Sequence, residues 1–197
     1  MNKSAGVLLG IVVAIGAISA GGAWYTGTKI EGVLNNAVTN ANKELQTAMA
    51  GSNGTASLEL VSLERHTFTS TAHYRLKGEG ELFGDAPVEL LFVDHIEHGP
   101  LPFSRLVSLK WLPVMATSNY ELEKNPATEK WFAATKGAAP LKGVTNIGYD
   151  ESTTSTIDLL PLETALDAQS SLKFSGLTLN ISASAQAQKV KADGYMD

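Results

Sequence analysis

The hydrophobic and polar positions divide this chain into three stretches with different periods. From Ala5 to Trp24 no side chain is charged, and Ser19 is the single polar one. These twenty residues, as a helix rising about 1.5 Å per residue, span about 30 Å, the thickness of a bilayer's hydrocarbon core. From Thr28 to Met49 the apolar positions Ile30, Val33, Leu34, Ala37, Val38, Ala41, Leu45, Ala48 and Met49 recur at three-four spacing, with Glu31, Asn35, Asn36, Asn42 and Lys43 between them. That spacing predicts an amphipathic helix, stopped by Gly51-Ser52-Asn53-Gly54. After Thr55 the period becomes two. Phe68, Ser70, Ala72, Tyr74 and Leu76 alternate with Thr67, Thr69, Thr71, His73 and Arg75, as in a half-buried strand.

Gly78-Glu79-Gly80 reads as a hairpin turn into Glu81-Leu82-Phe83, and Val88 to Ile96 as a denser apolar strand. Further strands are expected at Thr117–Glu123, Val144–Tyr149, Thr154–Leu160, Ser171–Phe174 and Leu177–Ser184. Short helices are expected at Phe103–Met115 and Thr128–Lys136. The expected fold is α+β, mainly β: an N-terminal transmembrane helix, an amphipathic helix, then a curved antiparallel β-sheet with short covering helices. The corresponding segments are a transmembrane signal-anchor over 1–26, the amphipathic helix over 27–50 and a β-rich extracytoplasmic domain over 51–197. The strand beginning at Leu177 lacks a covering element, and an uncovered strand edge is a pairing liability.

The first segment sets the expected compartment. Lys3 precedes the apolar run, and Trp24 and Tyr25 follow it where amphipathic aromatics prefer the headgroup level. The expectation is a single-pass protein of a bacterial inner membrane with its C-terminal domain in the periplasm. A cleaved signal peptide is the alternative, because Ser19-Ala20-Gly21 offers small residues to a peptidase. Ala5 opens the anchor, and Gly10, Ala14, Ala17 and Gly21 form a small-residue stripe along it. Gly6 and Gly10 add a G-x-x-x-G pair, a pattern through which two such helices dimerise.

Composition narrows the chemistry. The 197 residues contain no cysteine, which removes disulfides, thiolate nucleophiles, cysteine-ligated metals and lipoprotein acylation. Lys plus Arg is 15 and Asp plus Glu is 20, for a net charge of −5 without charge runs, so a nucleic-acid partner is set aside. No G-x-S-x-G, S-x-x-K, H-E-x-x-H or phosphate-binding glycine loop appears. The densest ionisable cluster is Asp94-His95-Ile96-Glu97-His98. On a helix, His95 and His98 could ligate a metal; on the strand that the preceding residues predict, they diverge. His66 and His73 likewise fall on opposite sides of a regular strand. Trp111, Leu112, Val114 and Met115 are expected to cap the sheet, with contact to membrane or lipid as the alternative. No catalytic residue, cofactor site or firm metal site is expected.

The residues also resemble a family. Gly21-Gly22-Ala23-Trp24-Tyr25-Thr26-Gly27, the His98-Gly99-Pro100 turn, Lys136-Gly137, Ile147-Gly148-Tyr149 and Phe174-Ser175-Gly176 are similar, in order, to the YdgA-like bacterial proteins. The resemblance implies an inner-membrane-anchored envelope protein of unknown function, with no catalytic residues to carry over. Typical members are more than twice this length. The expected function is a non-enzymatic scaffold or binding module of the envelope. A lipid- or amphiphile-binding groove built on Val88, Leu90 and Phe92 is the first alternative, and an envelope hydrolase the second. Expected partners are the membrane, a second copy through the anchor or sheet edge, and a lipid or envelope protein.

Overall fold

A computed structural model describes residues 30–81, 83, 87–98, 102–150, 152–165, 171–184 and 190–195. Helix α1 (Ile30–Met49) leads into strands β1 (Gly54–Arg65), β2 (Thr69–Gly80) and β3 (Val88–His98). A short helix α2 (Phe103–Val107) precedes β4 (Ala116–Leu122), and α3 (Glu129–Ala134) precedes β5 (Leu141–Ile147). Then come β6 (Thr153–Leu159), β7 (Leu162–Ala165), β8 (Ser171–Phe174), β9 (Leu177–Ala183) and β10 (Val190–Tyr195). Among the described residues eight strands form one antiparallel sheet in the order β1-β2-β3-β4-β5-β6-β9-β10, while β7 and β8 pair with each other in a second, two-stranded sheet.

Period-two alternation decides the two faces. Ser70, Ala72, Tyr74 and Leu76 of β2 are buried, whereas Thr71, His73 and Arg75 between them are partly open. Register carries the pattern across the sheet: Tyr74 lies beside Phe92, Phe92 beside Leu122, and Leu141 beside Leu159. These side chains, with Leu58, Leu90, Ile96 and Ile157, make one core, closed by Leu34, Ala41 and Leu45 of α1 and by Phe132 of α3. The three-four stripe of α1 is thus used against the sheet. The helix also guards the β1 edge, because Asn42 bonds the backbone of Leu58.

β1 breaks alternation for a physical reason. Leu60 pairs with Tyr74 and Ser62 with His73, which leaves Val61 as a one-residue bulge. Without it Leu63 would point away from the core. With it Leu63 sits beside Ala72 on the packed face.

Several expectations are corrected. No helix among the described residues is long and apolar enough to cross a membrane. The expected N-terminal transmembrane helix, and with it the single-pass inner-membrane location, therefore has no support in the structure. Helix α1 has the length, 20 residues, but Glu31, Lys43, Glu44 and several amides occupy its second face. Hydrocarbon would leave those groups unsolvated. The residues named for the anchor, Ala5, Gly10, Ala14, Ala17, Gly21, Trp24 and Tyr25, lie outside the described residues, as do Gly99 and Pro100 of the motif turn.

Gly78-Glu79-Gly80 is the end of β2, paired with Gly54 to Ala56, and is not a turn. The expected helix over Phe103–Met115 shrinks to five residues, Phe103–Val107. β9 stops at Ala183, and the strand at the sheet's edge is β10, which went unpredicted.

Candidate functional site

The packed face is crossed by a band of polar groups. Pairing register aligns Ser70, Ile96, Ser118, Thr145, Ser155 and Ile181 in one row across six strands. Hydroxyls so placed must bond to each other or to a neighbouring row, because no solvent reaches them. Thr145 Oγ1 and Ser155 Oγ are 2.7 Å apart. Ser118 Oγ donates to Asp94 Oδ1 at 2.7 Å. Ser70 Oγ lies 2.9 Å from His98 Nε2.

Burial dominates the electrostatics of this band. Asp94 is 1% exposed, and desolvation lifts its carboxyl to about 7, against the lowering effect of the Ser118 hydrogen bond. The same burial, and then the Asp94 charge, pushes the Tyr74 phenol well above its ordinary value. Its Oη has no hydrogen-bond partner among the described residues. Burial also lowers His98. A serine oxygen at hydrogen-bonding distance from an imidazole is the contact used to activate a nucleophile. Ser70, however, is 1% exposed and His98 8%, so little of the pair reaches the surface.

The open face holds a second cluster. His95, Asn119, Glu121, Lys142, Val144 and Asp158 line a depression of about 350 Å³. Register places Lys142 directly between Glu121 and Asp158, so the charges nearly balance. Such a surface offers donors and acceptors to a hydrogen-bonding partner and focuses no single sign of charge. Beside it His73 Nδ1 meets Glu123 Oε2 at 3.2 Å, and Thr71 Oγ1 meets His95 Nδ1 at 3.3 Å.

His95 and His98 thus occupy opposite faces, as strand geometry requires. Among the described residues no three His, Asp or Glu side chains are grouped to hold a metal. His66 lies exposed in the β1–β2 turn, away from His73 on β2. Leu90 and Phe92, expected to line an apolar groove, are packed into the core. Trp111 and Leu112, expected to cap the sheet, are exposed instead; only Val114 is buried and Met115 half-buried. The buried band escaped sequence reading because its members, such as Asp94 and Ser118, meet only through strand register.

At the margins, the two sheet edges differ. β1 is covered by α1, whereas among the described residues nothing pairs with the outer edge of β10, and Lys191 to Tyr195 are exposed.

Among the described residues the fold is a meandering antiparallel sheet with a helix over its first strand and a buried band of polar side chains. The whole chain, residues 1–197, matches the family described as bacterial protein of unknown function (DUF945), and the chain belongs to that family. It is 31% identical over 197 residues to Protein YdgA of Escherichia coli (strain K12), covering 98% of this chain and 38% of that one. It is 26% identical over 157 residues to the uncharacterized protein YihF of the same organism, covering 78% and 33% of the two chains. An uncharacterized protein of Haemophilus influenzae is 26% identical over 141 residues, 71% of this chain and 37% of that one. The chain therefore spans 33% to 38% of the length of these relatives. The YdgA-like resemblance is borne out over nearly the full chain. No solved structure matches it.

Proposed function

We propose that this chain is a non-enzymatic binding or scaffold module whose sheet takes a partner strand on the outer edge of β10. The observation that carries the reading is the asymmetry of the two edges: α1 covers the β1 side, and among the described residues nothing pairs with the β10 side. Unpaired backbone donors and acceptors on an edge strand are a template for strand addition.

A second copy of the chain is the partner we favour. An antiparallel pair of β10 strands centred on Ala192 sets Lys191 of each copy opposite Asp193 of the other. These two residues share a face of β10, so the pairing gains two opposite-charge contacts related by a two-fold axis.

The chain has no cysteine, so Tyr195→Cys, on the exposed end of β10, gives a unique position for a nitroxide label and leaves Lys191 and Asp193 in place. Raising the protein to millimolar concentration, or adding a peptide with the sequence of β10, is expected to immobilise the label. Proline at Ala192 or Asp193, whichever points its N–H away from β9, abolishes the effect. A label equally mobile under all conditions, with β9–β10 amides still protected from exchange, overturns the reading.

A further inference from the structure

Strand register sets three charges in a line on the open face. Glu121 of β4, Lys142 of β5 and Asp158 of β6 are direct cross-strand neighbours, in the order carboxylate, ammonium, carboxylate. Strands lie about 4.8 Å apart, so the two acidic residues stand roughly 10 Å from each other with the lysine midway. Opposite charges placed this way ordinarily pair. On the same face Arg75 pairs with Glu59 and Glu89, and His73 with Glu123. Among the described residues Lys142 forms no ion pair with either neighbour.

The surroundings of the line are built rather than loose. Thr178 Oγ1 donates to Asp158 Oδ1 at 2.8 Å, and Thr71 Oγ1 lies 3.3 Å from His95 Nδ1. The three charges line the depression of about 350 Å³ together with His95, Asn119 and Val144. Val144 is 39% exposed, which gives the depression an apolar patch beside Lys142. Other charges of this face leave the balance unchanged. Glu123 is taken by His73, Glu97 accepts from Ser104, and Asp193 and Lys191 lie two strands beyond β6.

We infer that the depression binds a small amphoteric ligand with one carboxylate and two ammonium groups, the class that basic α-amino acids represent. Charge complementarity selects it. The ligand carboxylate meets Lys142, its α-ammonium meets one flanking carboxylate, and its distal ammonium meets the other. One lysine against two carboxylates leaves a negative charge that the ligand's net positive charge cancels. The methylene stem lies on Val144, as such stems lie on apolar surface elsewhere. A neutral polyol would leave all three charges unmatched, a plain anion would face two carboxylates, and a plain diamine would leave Lys142 unpaired. The β10 edge takes no part.

Titration of the full chain with L-lysine at neutral pH and low ionic strength, followed by amide NMR, tests the inference. Saturable shifts are expected at Asn119, Lys142, Val144 and Asp158, with a millimolar midpoint because exposed ion pairs are individually weak. Lys142→Met weakens binding about threefold to fivefold, and Asp158→Asn, which keeps an acceptor for Thr178, does about the same. Both substitutions lie on the solvent face, and unchanged amide positions elsewhere report that the variants fold. Cadaverine, the same molecule without its carboxylate, binds the parent more weakly than L-lysine and is not weakened by Lys142→Met. The inference fails if L-lysine gives no saturable shift. It also fails if cadaverine binds as tightly as L-lysine, which would make the site a trap for any cation. Glucose shifting the same amides would make it a polyol site and overturn the inference as well.

Discussion

The phenol of Tyr120 on β4 occupies the space that a side chain at Gly143 on β5 would need. The two residues are direct cross-strand partners on the packed face, and a Cβ built on Gly143 would lie 2.4 Å from the Tyr120 Oη. An aromatic covering a strand glycine restores the packing that the glycine lacks and pins the register. Gly143→Ala is therefore expected to destabilise the fold by about 1–3 kcal/mol, as overpacking does. A double-mutant cycle with Tyr120→Leu checks the cause: the two losses fall short of additive, because the smaller side chain removes the clash.

Asn42 gives a second test. Its Nδ2 donates to Leu58 O at 2.9 Å, and its Oδ1 accepts Leu58 N–H at 2.7 Å. Asn42→Ala loses both bonds and is expected to cost about 1–3 kcal/mol in urea unfolding. Amide exchange at Leu58 rises before exchange elsewhere in β1. Asn42→Asp keeps the acceptor but sets a carboxylate against the Leu58 carbonyl, so its deficit shrinks as pH falls.

Asp94 makes stability depend on pH in an unusual direction. Its folded value of about 7 lies above the ordinary 3.8, so between those values the folded chain holds a proton that the unfolded chain has released. Stability from this group is full below about pH 4 and is lost as pH rises through about 7. Lowered His98 acts oppositely: the stability it contributes is present above 6.5 and falls away below it. Asp94→Asn is expected to be more stable than the parent at pH 8 by roughly 2–4 kcal/mol, and level with it near pH 4. His98→Gln steepens the decline below pH 6.5, where His98 would otherwise offset it. Urea midpoints over a pH series read both.

Tyr74 carries a buried hydroxyl without a partner among the described residues. Tyr74→Phe keeps the ring in the core and discards that hydroxyl. Thermal unfolding is expected to show no loss, or a gain of up to about 1 kcal/mol.

Arg105→Ala removes the two bonds that hold the β3–β4 excursion to Asn146 and to Leu112 O. Global stability is expected to change by less than about 1 kcal/mol, since no residue of α2 is buried. Proteolysis within residues 103–112, followed by mass spectrometry, is expected to accelerate sharply.

Much of the sheet was legible in the chain because burial imposes a period. Ser70 to Leu76 and Val88 to Ile96 alternate or run apolar as one-sided and core strands must. The Thr28–Met49 stripe foretold both a helix and the surface it covers. Legibility failed where local pattern is not the deciding force. Val61 hid the continuity of β1, because a bulge moves one residue out of register. Val190 to Tyr195 offers few apolar side chains to read, and its strand character comes from the ladder with β9. The apolar spacing of Phe103–Met115 suggested a core helix, yet Pro113 and the left-handed Leu109 end it early, and hydrogen bonds at Ser104 and Arg105 hold it with its apolar side outward. The pairing of Asp94 with Ser118 spans 24 positions, and only strand register brings them together.

The strand order has a consequence for how the molecule is made. Apart from the detour through β7 and β8, every strand pairs with the one synthesised just before it. Each ladder can close as soon as its second strand leaves the ribosome, without waiting for distant segments. The strand order thus permits assembly in the direction of translation, from a first strand already shielded by its helix. Every intermediate along the way exposes a single adhesive border at its growing end.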